Sequence, residues 1–146
     1  SIKNSKYVFM KKEISILKKY LDIEKLRFDK KLEIDIHVED ALLKEYVPPL
    51  MLQPIVENSI KHGFSLEVDS LRIKIIITEN NNYISFVISN NGKLLDKNFN
   101  YGVGLTNVIS RLDTLYNEDF ELEMKNDQKI GVITTIQIPR SFYKQE

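Results

Sequence analysis

Two runs of β-branched and aromatic residues, separated by three asparagines, constrain the fold of this chain more than any other feature. The first run is LRIKIIITE, from Leu71 to Glu79, and the second is YISFVIS, from Tyr83 to Ser89. Both runs are rich in the residue types that favour strands. Asparagine tolerates the positive φ angles of tight turns, so the intervening NNN suits a hairpin connection. The sequence therefore predicts a β-hairpin over residues 71–89.

Amphipathic segments on both sides of this hairpin predict helices and further strands. EISILKKYLDIEKLRF has helical spacing and is predicted to end near Asp29, and KLEIDIHVED then alternates as a strand whose polar face includes His37. LTNVISRLDTLY predicts a later helix, and FELEMK and IGVITTIQI predict two strands. The apolar positions of the first helix are Ile14, Leu17, Leu21, Leu26 and Phe28. This order predicts an α/β (α+β) two-layer sandwich, a mixed sheet with helices packed on one face.

Composition and charge exclude several classes of protein. The chain has 146 residues, the size of one domain, and 21 Lys and Arg balance 21 Asp and Glu, so we expect no attraction to nucleic acid or membrane surfaces. No stretch approaches the roughly 20 apolar residues of a membrane span, and the first residues are too polar for a signal peptide. Without Cys and with only two His, disulfides, thiolate metal sites and His-rich metal sites are excluded. Because no initiating Met is present, we expect a piece of a longer protein.

The segment LQPIVENSIKHG, residues 52–63, is predicted to form a helix with two different faces. On a helical wheel one arc is apolar or small, and the opposite arc carries Glu57, Asn58 and Lys61, with His62 at its edge. The residues of the first arc, which are predicted to pack on the sheet, are Leu52, Ile55, Val56, Ser59, Ile60 and Gly63.

Two interpretations of the polar arc remain open from this helix alone. The first is a solvated face with an i, i+4 pair of Glu57 and Lys61, which contributes about 0.2–0.5 kcal/mol. The second is a site for a metal ion and a phosphate. In that case the amide oxygen of Asn58 suits Mg²⁺, the neighbouring carboxylate serves as a base, and Lys61 neutralises phosphate charge.

Two glycine turns favour the second interpretation. NYGVGLTNV leads into a helix predicted to begin near Leu105, and Gly102 and Gly104 allow backbone N–H groups to turn toward an anion at its positive end. SNNG, from Ser89 to Gly92, follows the hairpin. Each motif alone also fits a simple turn, but three segments that converge on a phosphate are more specific than any one of them.

In order along the chain, LQPIVENSIKHG, VISNNG and YGVGLTNVISRLDTLY resemble the motifs of the GHKL ATP-binding domain. More narrowly, the chain is similar over nearly its whole length to the catalytic domain of LytS/YesM-type two-component sensor histidine kinases. The resemblance implies the Bergerat fold. It also implies that residues 1–28 are a helical segment leading from a missing dimerisation region, and that residues 29–146 are a single ATP-binding (HATPase-type) domain.

The resemblance also assigns roles to individual residues. Asn58 would coordinate the Mg²⁺ that accompanies ATP, and Glu57 would orient or activate the phosphoacceptor imidazole as a general base. Residues 93–101 would form a short lid over the nucleotide. The residues assigned to nucleotide binding are Asn58, Lys61, His62, Asn90, Gly92, Gly102, Gly104, Leu105 and Asn107.

The first glycine box departs from the family pattern, which usually reads Asp-Asn-Gly-x-Gly. Here Asn90 replaces the Asp that normally binds the adenine amino group, and Leu94 replaces the last Gly. The Asn90 carbonyl can still accept a hydrogen bond, but exchanging a charged bond for a neutral one costs on the order of 1 kcal/mol. Weaker or altered nucleotide binding is therefore expected, rather than none.

The chain carries no phosphoacceptor motif, since His37 lies in a predicted strand and His62 in the LQPIVENSIKHG helix. The resemblance implies a protein-histidine kinase domain that transfers the ATP γ-phosphoryl to a His on its own upstream helix, which is missing here. A response regulator and a second copy in the full-length homodimer are the other implied partners, without nucleic acid or membrane contact. The implied location is the cytoplasmic side of a bacterial inner-membrane sensor, and this chain alone is not expected to autophosphorylate.

Three alternatives follow from the sequence. The main one is a degenerate pseudokinase module that signals by partner binding with weak or no nucleotide binding, which Asn90 and Leu94 favour. A serine kinase of the anti-sigma type would need no phosphoacceptor helix, but LQPIVENSIKHG and the preceding helix, residues 13–28, argue against it. A generic soluble α/β domain would require three motifs in the right order by chance.

Overall fold

The computed structural model describes residues 6–65 and 68–140 of the chain. Residues 1–5, which begin the predicted N-terminal segment, and residues 141–146, which end the predicted ATP-binding domain, lie outside the described residues. The helices and strands are, in chain order, β1 (Val8–Phe9), α1 (Met10–Phe28), β2 (Leu32–Val38), β3 (Tyr46–Val47), α2 (Leu52–Gly63), β4 (Leu71–Asn80), β5 (Tyr83–Asn90), α3 (Gly102–Tyr116), β6 (Glu121–Asp127) and β7 (Gly131–Pro139).

The predicted hairpin is confirmed and forms the middle of a five-stranded mixed sheet. The strand order is β2-β4-β5-β7-β6, in which β2 and β4 are parallel and the other neighbours are antiparallel. Asn80 pairs with Tyr83 across the hairpin turn, and Asn81 between them has a φ of 59°. The turn therefore uses the left-handed conformation that asparagine tolerates. The short strands β1 and β3, which the sequence did not predict, form a separate antiparallel ribbon.

The three helices pack on one face of the sheet, so the predicted two-layer arrangement is confirmed. Strand β4 shows why only one face of the sheet is covered. Ile73 and Ile75 are buried while Arg72 and Lys74 are exposed, because alternate side chains of a strand point to opposite faces. The buried residues of α1, α2 and α3 belong to the same hydrophobic core as Ile73 and Ile75. Burial of this apolar surface is the main contribution that favours the folded state.

The buried stripe of α1 ends earlier than the sequence predicted. Leu17 and Leu21 are buried, but Leu26 is 85% exposed. With 3.6 residues per turn, the five steps from Leu21 to Leu26 rotate the side chain by about 140°, away from the stripe. Phe28 returns toward the core side and stacks on Phe64, with ring centroids 4.8 Å apart. None of the helices in the described ranges is long and apolar enough to span a membrane.

The start of α2 is capped by a residue of α1. The Glu13 side chain is buried. Its carboxylate accepts hydrogen bonds from the backbone N–H groups of Leu50, Met51 and Leu52 at 2.9, 2.8 and 3.0 Å. The N-cap residue of α2 itself makes no side-chain capping hydrogen bond. Arg111 of α3 donates from Nη2 to the carbonyl oxygen of Leu50 at 3.1 Å, so both other helices hold the segment that leads into α2.

Gly131, the first residue of β7, is a position where a side chain is expected to be strongly destabilising. Its φ is 126°, and a Cβ placed there would lie 2.1 Å from the backbone oxygen of Asn90 on β5. Gly131→Ala is therefore expected to lower the free energy of unfolding by about 3 kcal/mol, through backbone strain and steric overlap. Urea denaturation followed by circular dichroism measures this change.

Gly104→Ala is the matched control for stability. A Cβ on Gly104 would make an ordinary contact of 3.6 Å with Cβ of Pro54. Alanine also favours a helix over glycine by up to about 1 kcal/mol, so this variant is expected to keep or raise stability. An equal loss of stability in both variants would contradict the explanation given for Gly131.

Candidate active site

Helix α2 has the two faces that its sequence predicted. Its buried residues are Leu52, Ile55, Val56, Ser59, Ile60 and Gly63, which are the residues of the predicted packing arc. On the other side Glu57, Lys61 and His62 are exposed, and Asn58 is half-buried. The core therefore holds the helix by one face and leaves the polar face at the surface.

The polar face of α2 forms one wall of a cavity of about 470 Å³. The predicted lid, residues 93–101, and the first turn of α3 supply the other wall. The predicted site residues that line the cavity are Glu57, Asn58, Lys61, His62, Gly102, Gly104 and Leu105. Its other lining residues, which the sequence did not single out as site residues, are Pro54, Asp96, Asn98, Phe99, Asn100, Tyr101 and Val103. The structure thus brings the polar face of α2 and the second glycine turn to one cavity.

Helix α3 begins at Gly102, earlier than the predicted start near Leu105. Gly102 has a φ of 73°, which glycine adopts readily, so the glycine turn and the first helical turn are the same residues. The preceding residue, Tyr101, makes no side-chain capping hydrogen bond. The first N–H groups of a helix have no partner within the helix and carry the positive end of its dipole. The start of α3 is therefore an uncapped positive end beside the cavity.

The first glycine turn packs against the end of α2. Gly92 is buried, and a Cβ on it would lie 2.6 Å from backbone atoms of Gly63. Asn90 is also buried, and its Oδ1 accepts a hydrogen bond from the N–H of Gly92 at 2.9 Å. Lys93 donates its N–H to the carbonyl of Gly63 at 2.9 Å. Asn90, Gly92 and the exposed Asn107 of α3 do not line the cavity described above.

Two aromatic residues of the lid contact the site. Phe99 lies edge-on to His62, with ring centroids 6.1 Å apart, and Tyr101 lies 6.0 Å from Phe99. Both lid residues also pack against the hydrophobic core. Aromatic side chains in a loop are the sequence signal for such packing, because a fully solvated loop gains little from them.

Glu57 and Lys61 do not form the i, i+4 ion pair that one interpretation of the sequence required. Glu57 Oε1 instead accepts a hydrogen bond from Gln53 Nε2 at 3.0 Å, one turn earlier on α2. Burial raises the pKa of Tyr20 on α1, and the charges of Glu24 and Glu57 raise it further. Glu57 therefore interacts toward the start of α2, which leaves the Lys61 ammonium available to an anion in the cavity.

No cluster of three or more His, Asp or Glu that could hold a metal ion occurs in the part of the chain that the structure describes. A divalent ion at Asn58 would thus need oxygen ligands from a bound phosphate and from water, which is usual for Mg²⁺. His37, the other histidine, is exposed on β2 as predicted and hydrogen-bonds Asp35 at 2.9 Å.

The chain is similar in sequence to bacterial sensor proteins. It is 36% identical over 150 residues to the sensor protein LytS of Oceanobacillus iheyensis, a match that covers 92% of this chain and 26% of that protein. It is 31% identical over 136 residues to the sensor histidine kinase BtsS of Escherichia coli, a match that covers 92% of this chain and 24% of that protein. No protein-family model matches the chain.

The fold is also found in a solved histidine kinase domain. The catalytic domain of histidine kinase ThkA, in a nucleotide-free form, has a TM-score of 0.71 and 13% identity to this chain, and the match covers 92% of this chain and 95% of that one. The chain belongs to the LytS/YesM-type sensor histidine kinases. It spans about a quarter of the length of the curated relatives it matches.

The lid of this LytS/YesM-type domain is fastened to the edge strand β6. Leu95 donates its N–H to Asn126 Oδ1 at 2.8 Å, and Asn126 Nδ2 donates to the carbonyl of Leu95 at 3.0 Å. One side chain thus satisfies both backbone groups of a loop residue. The beginning of the lid is therefore held in place, while the residues that follow contact the cavity.

Asn126→Ala is expected to release this end of the lid. Each of the two hydrogen bonds contributes about 1 kcal/mol, so their loss should accelerate amide hydrogen exchange at Leu95 by about thirtyfold, with little change in global stability. Exchange followed by NMR measures the effect. Asn98→Ala, the same substitution at an exposed lid residue, is the control. Unchanged exchange at Leu95 in Asn126→Ala would show that the two bonds do not hold the lid.

Proposed function

We propose that this chain is the ATP-binding catalytic domain of a protein-histidine kinase that transfers the γ-phosphoryl group of ATP to a histidine on an upstream helix. One observation carries the proposal: the polar face of α2 and the uncapped start of α3 line the same cavity. Packing does not require either feature, because the core uses the other faces of both helices. The sequence similarity to sensor histidine kinases supports the same activity.

The residues around the cavity suit a nucleotide bound with magnesium. A volume of about 470 Å³ lies within the usual range for ligand pockets. Gly102 leaves open space at its α-carbon, since an added Cβ would have no atom within 4 Å. Backbone N–H groups at a helix start bind phosphate oxygens, and the amide oxygen of Asn58 is a ligand type that Mg²⁺ accepts. Lys61 adds a positive charge, so the cavity combines the groups that phosphates and their metal ion require.

Each wall of the cavity has a proposed role. When bound, Mg²⁺-ATP supplies the phosphoryl group that is transferred. Asn58 would hold the metal ion, and Lys61, His62 and the N–H groups of residues 102–105 would bind the phosphates. Glu57, positioned by the hydrogen bond from Gln53, would orient the imidazole of the incoming histidine and accept its proton.

The adenine end of the site involves the first glycine turn in this proposal. Asn90 Oδ1 accepts one hydrogen bond, from Gly92, and an amide oxygen has a second lone pair that can accept from the adenine amino group. Asn90 lies outside the lining of the cavity, so we expect the lid to move before adenine reaches it. Asn107, exposed on α3, would lie near the nucleotide without belonging to the cavity wall.

The remaining partners of the reaction would lie outside this chain. Residues 1–28 would lead in from a dimerisation helix that carries the phosphoacceptor histidine, and residues 29–146 would form the ATP-binding domain. A response regulator would receive the phosphoryl group, and two copies of the full-length kinase would pair. The domain would face the cytoplasm beneath a bacterial inner membrane.

Calorimetric titration of the chain with ATP, with and without Mg²⁺, tests the proposal. We expect binding that depends on Mg²⁺. Asn58→Ala is expected to weaken this binding by about tenfold or more, because metal affinity falls by that much even when only a residue that supports a metal ligand is removed. Asn82→Ala, at an exposed position in the hairpin turn, is the matched control and should bind as the wild type does. No binding at millimolar ATP, or equal binding by both variants, would contradict the proposed site.

A further inference from the structure

Glu13 is a buried carboxylate for which the proposed reaction has no role. It is 2% exposed and accepts three backbone hydrogen bonds of 2.8–3.0 Å from the start of α2. A buried charge needs compensation, and these N–H groups with the positive end of the α2 dipole provide it. If α1 moved away at this point, a buried charge and the N–H groups that lead into α2 would lose their partners together.

The backbone at Leu50 is held from α3 as well. Arg111 Nη2 donates to the carbonyl oxygen of Leu50 at 3.1 Å. Leu50 has a φ of 56°, a left-handed conformation that a branched residue adopts only when its surroundings impose it. Its side chain is 48% exposed, so packing of that side chain does not account for the conformation. The hydrogen bond that the Leu50 N–H donates to Glu13, and the one that its carbonyl accepts from Arg111, therefore hold Leu50 in place.

The cavity is lined by α2, which begins two residues after Leu50, and by α3, whose Arg111 binds the Leu50 carbonyl. Asn58 lies six residues after Leu52, about 9 Å along the axis of α2. Gly104 lies seven residues before Arg111, about 10 Å along the axis of α3. Hydrogen-bonded helices move as rigid elements. A shift at Leu50 therefore changes the position of one cavity wall relative to the other.

We propose that Glu13 is a positioning residue for nucleotide binding: by holding the start of α2, it sets the place of Asn58 relative to the N–H groups of residues 102–105. This inference rests on the proposed function. Glu13 does not line the cavity, so it acts through α2.

Glu13→Gln tests this role. Glutamine keeps the shape of the side chain but replaces one acceptor oxygen by an NH₂ group, which cannot accept a hydrogen bond from the backbone. We expect the Kd for Mg²⁺-ATP, measured by calorimetry, to rise by about tenfold, within the usual range of coupling between distinct sites. Asp22→Asn makes the same chemical change at an exposed position of α1 and is expected to bind as the wild type does.

Amide hydrogen exchange detects an effect of Glu13 on nucleotide binding that a purely structural role of Glu13 would not produce. Because coupling is reciprocal, Mg²⁺-ATP should slow exchange at residues 50–52 of the wild type, and Glu13→Gln should abolish this slowing. Nucleotide binding that leaves exchange at residues 50–52 unchanged, or wild-type affinity in Glu13→Gln, would overturn the inference and leave the proposed function intact. No nucleotide binding by the wild-type chain would overturn both.

Arg111→Gln decides the question if Glu13→Gln does not fold. This change removes the hydrogen bond to the Leu50 carbonyl from a half-buried residue and leaves the Glu13 contacts in place. Because one hydrogen bond is lost, we expect the Kd for Mg²⁺-ATP to rise by about threefold to tenfold. Wild-type affinity in Arg111→Gln would show that the contacts at Leu50 do not set the position of one cavity wall relative to the other. That result would overturn the inference.

Discussion

Helix α2 depends on a carboxylate that another helix supplies. The N–H groups that lead into it are buried and have no capping side chain at the helix N-cap, so Glu13 of α1 satisfies them and completes the packing of α2 against the core. Helix α3 begins in the opposite way, because no side chain caps it and its first residues line the cavity. One helix start is thus neutralised within the protein, and the other remains available to an external anion. The start of α2 therefore contributes to the stability of the domain, whereas the start of α3 is available for binding.

Local periodicity was sufficient to predict most of the fold. The six buried residues of α2 are those that the helical wheel placed on one arc, because a single face of this helix meets the sheet. The hairpin formed where asparagine could accept a positive φ, at Asn81. Part of the site followed for the same reason, since residues excluded from the packing face of α2 must lie together on its polar face. The roles of those residues in catalysis remain predictions.

Contacts between distant parts of the chain could not be predicted from the sequence. Glu13 occurs among charged residues of an amphipathic helix and reads as solvated, because nothing local indicates N–H groups 37 residues away that need an acceptor. The same limit applies to Asn126, which binds Leu95 across 31 residues. The prediction that Leu26 belongs to the apolar stripe is wrong for a different reason: nearly helical spacing is not enough when a helix touches the core along a narrow stripe. Asn90 and Gly92 lie at the end of α2 rather than in the cavity because Gly92 packs against Gly63.

The attachment of the lid at both ends limits how far the loop can travel. Leu95 is bound to β6 and Gly102 already belongs to α3, so only residues 96–101 between them can change conformation without breaking these attachments. A fully extended residue spans at most about 3.6 Å, and ordering one residue costs about 1–2 kcal/mol of conformational entropy. A short segment anchored in this way has few conformations to lose when it closes. The proposed binding of a nucleotide would therefore need only the rearrangement of a small loop, without the folding and unfolding that a long lid requires.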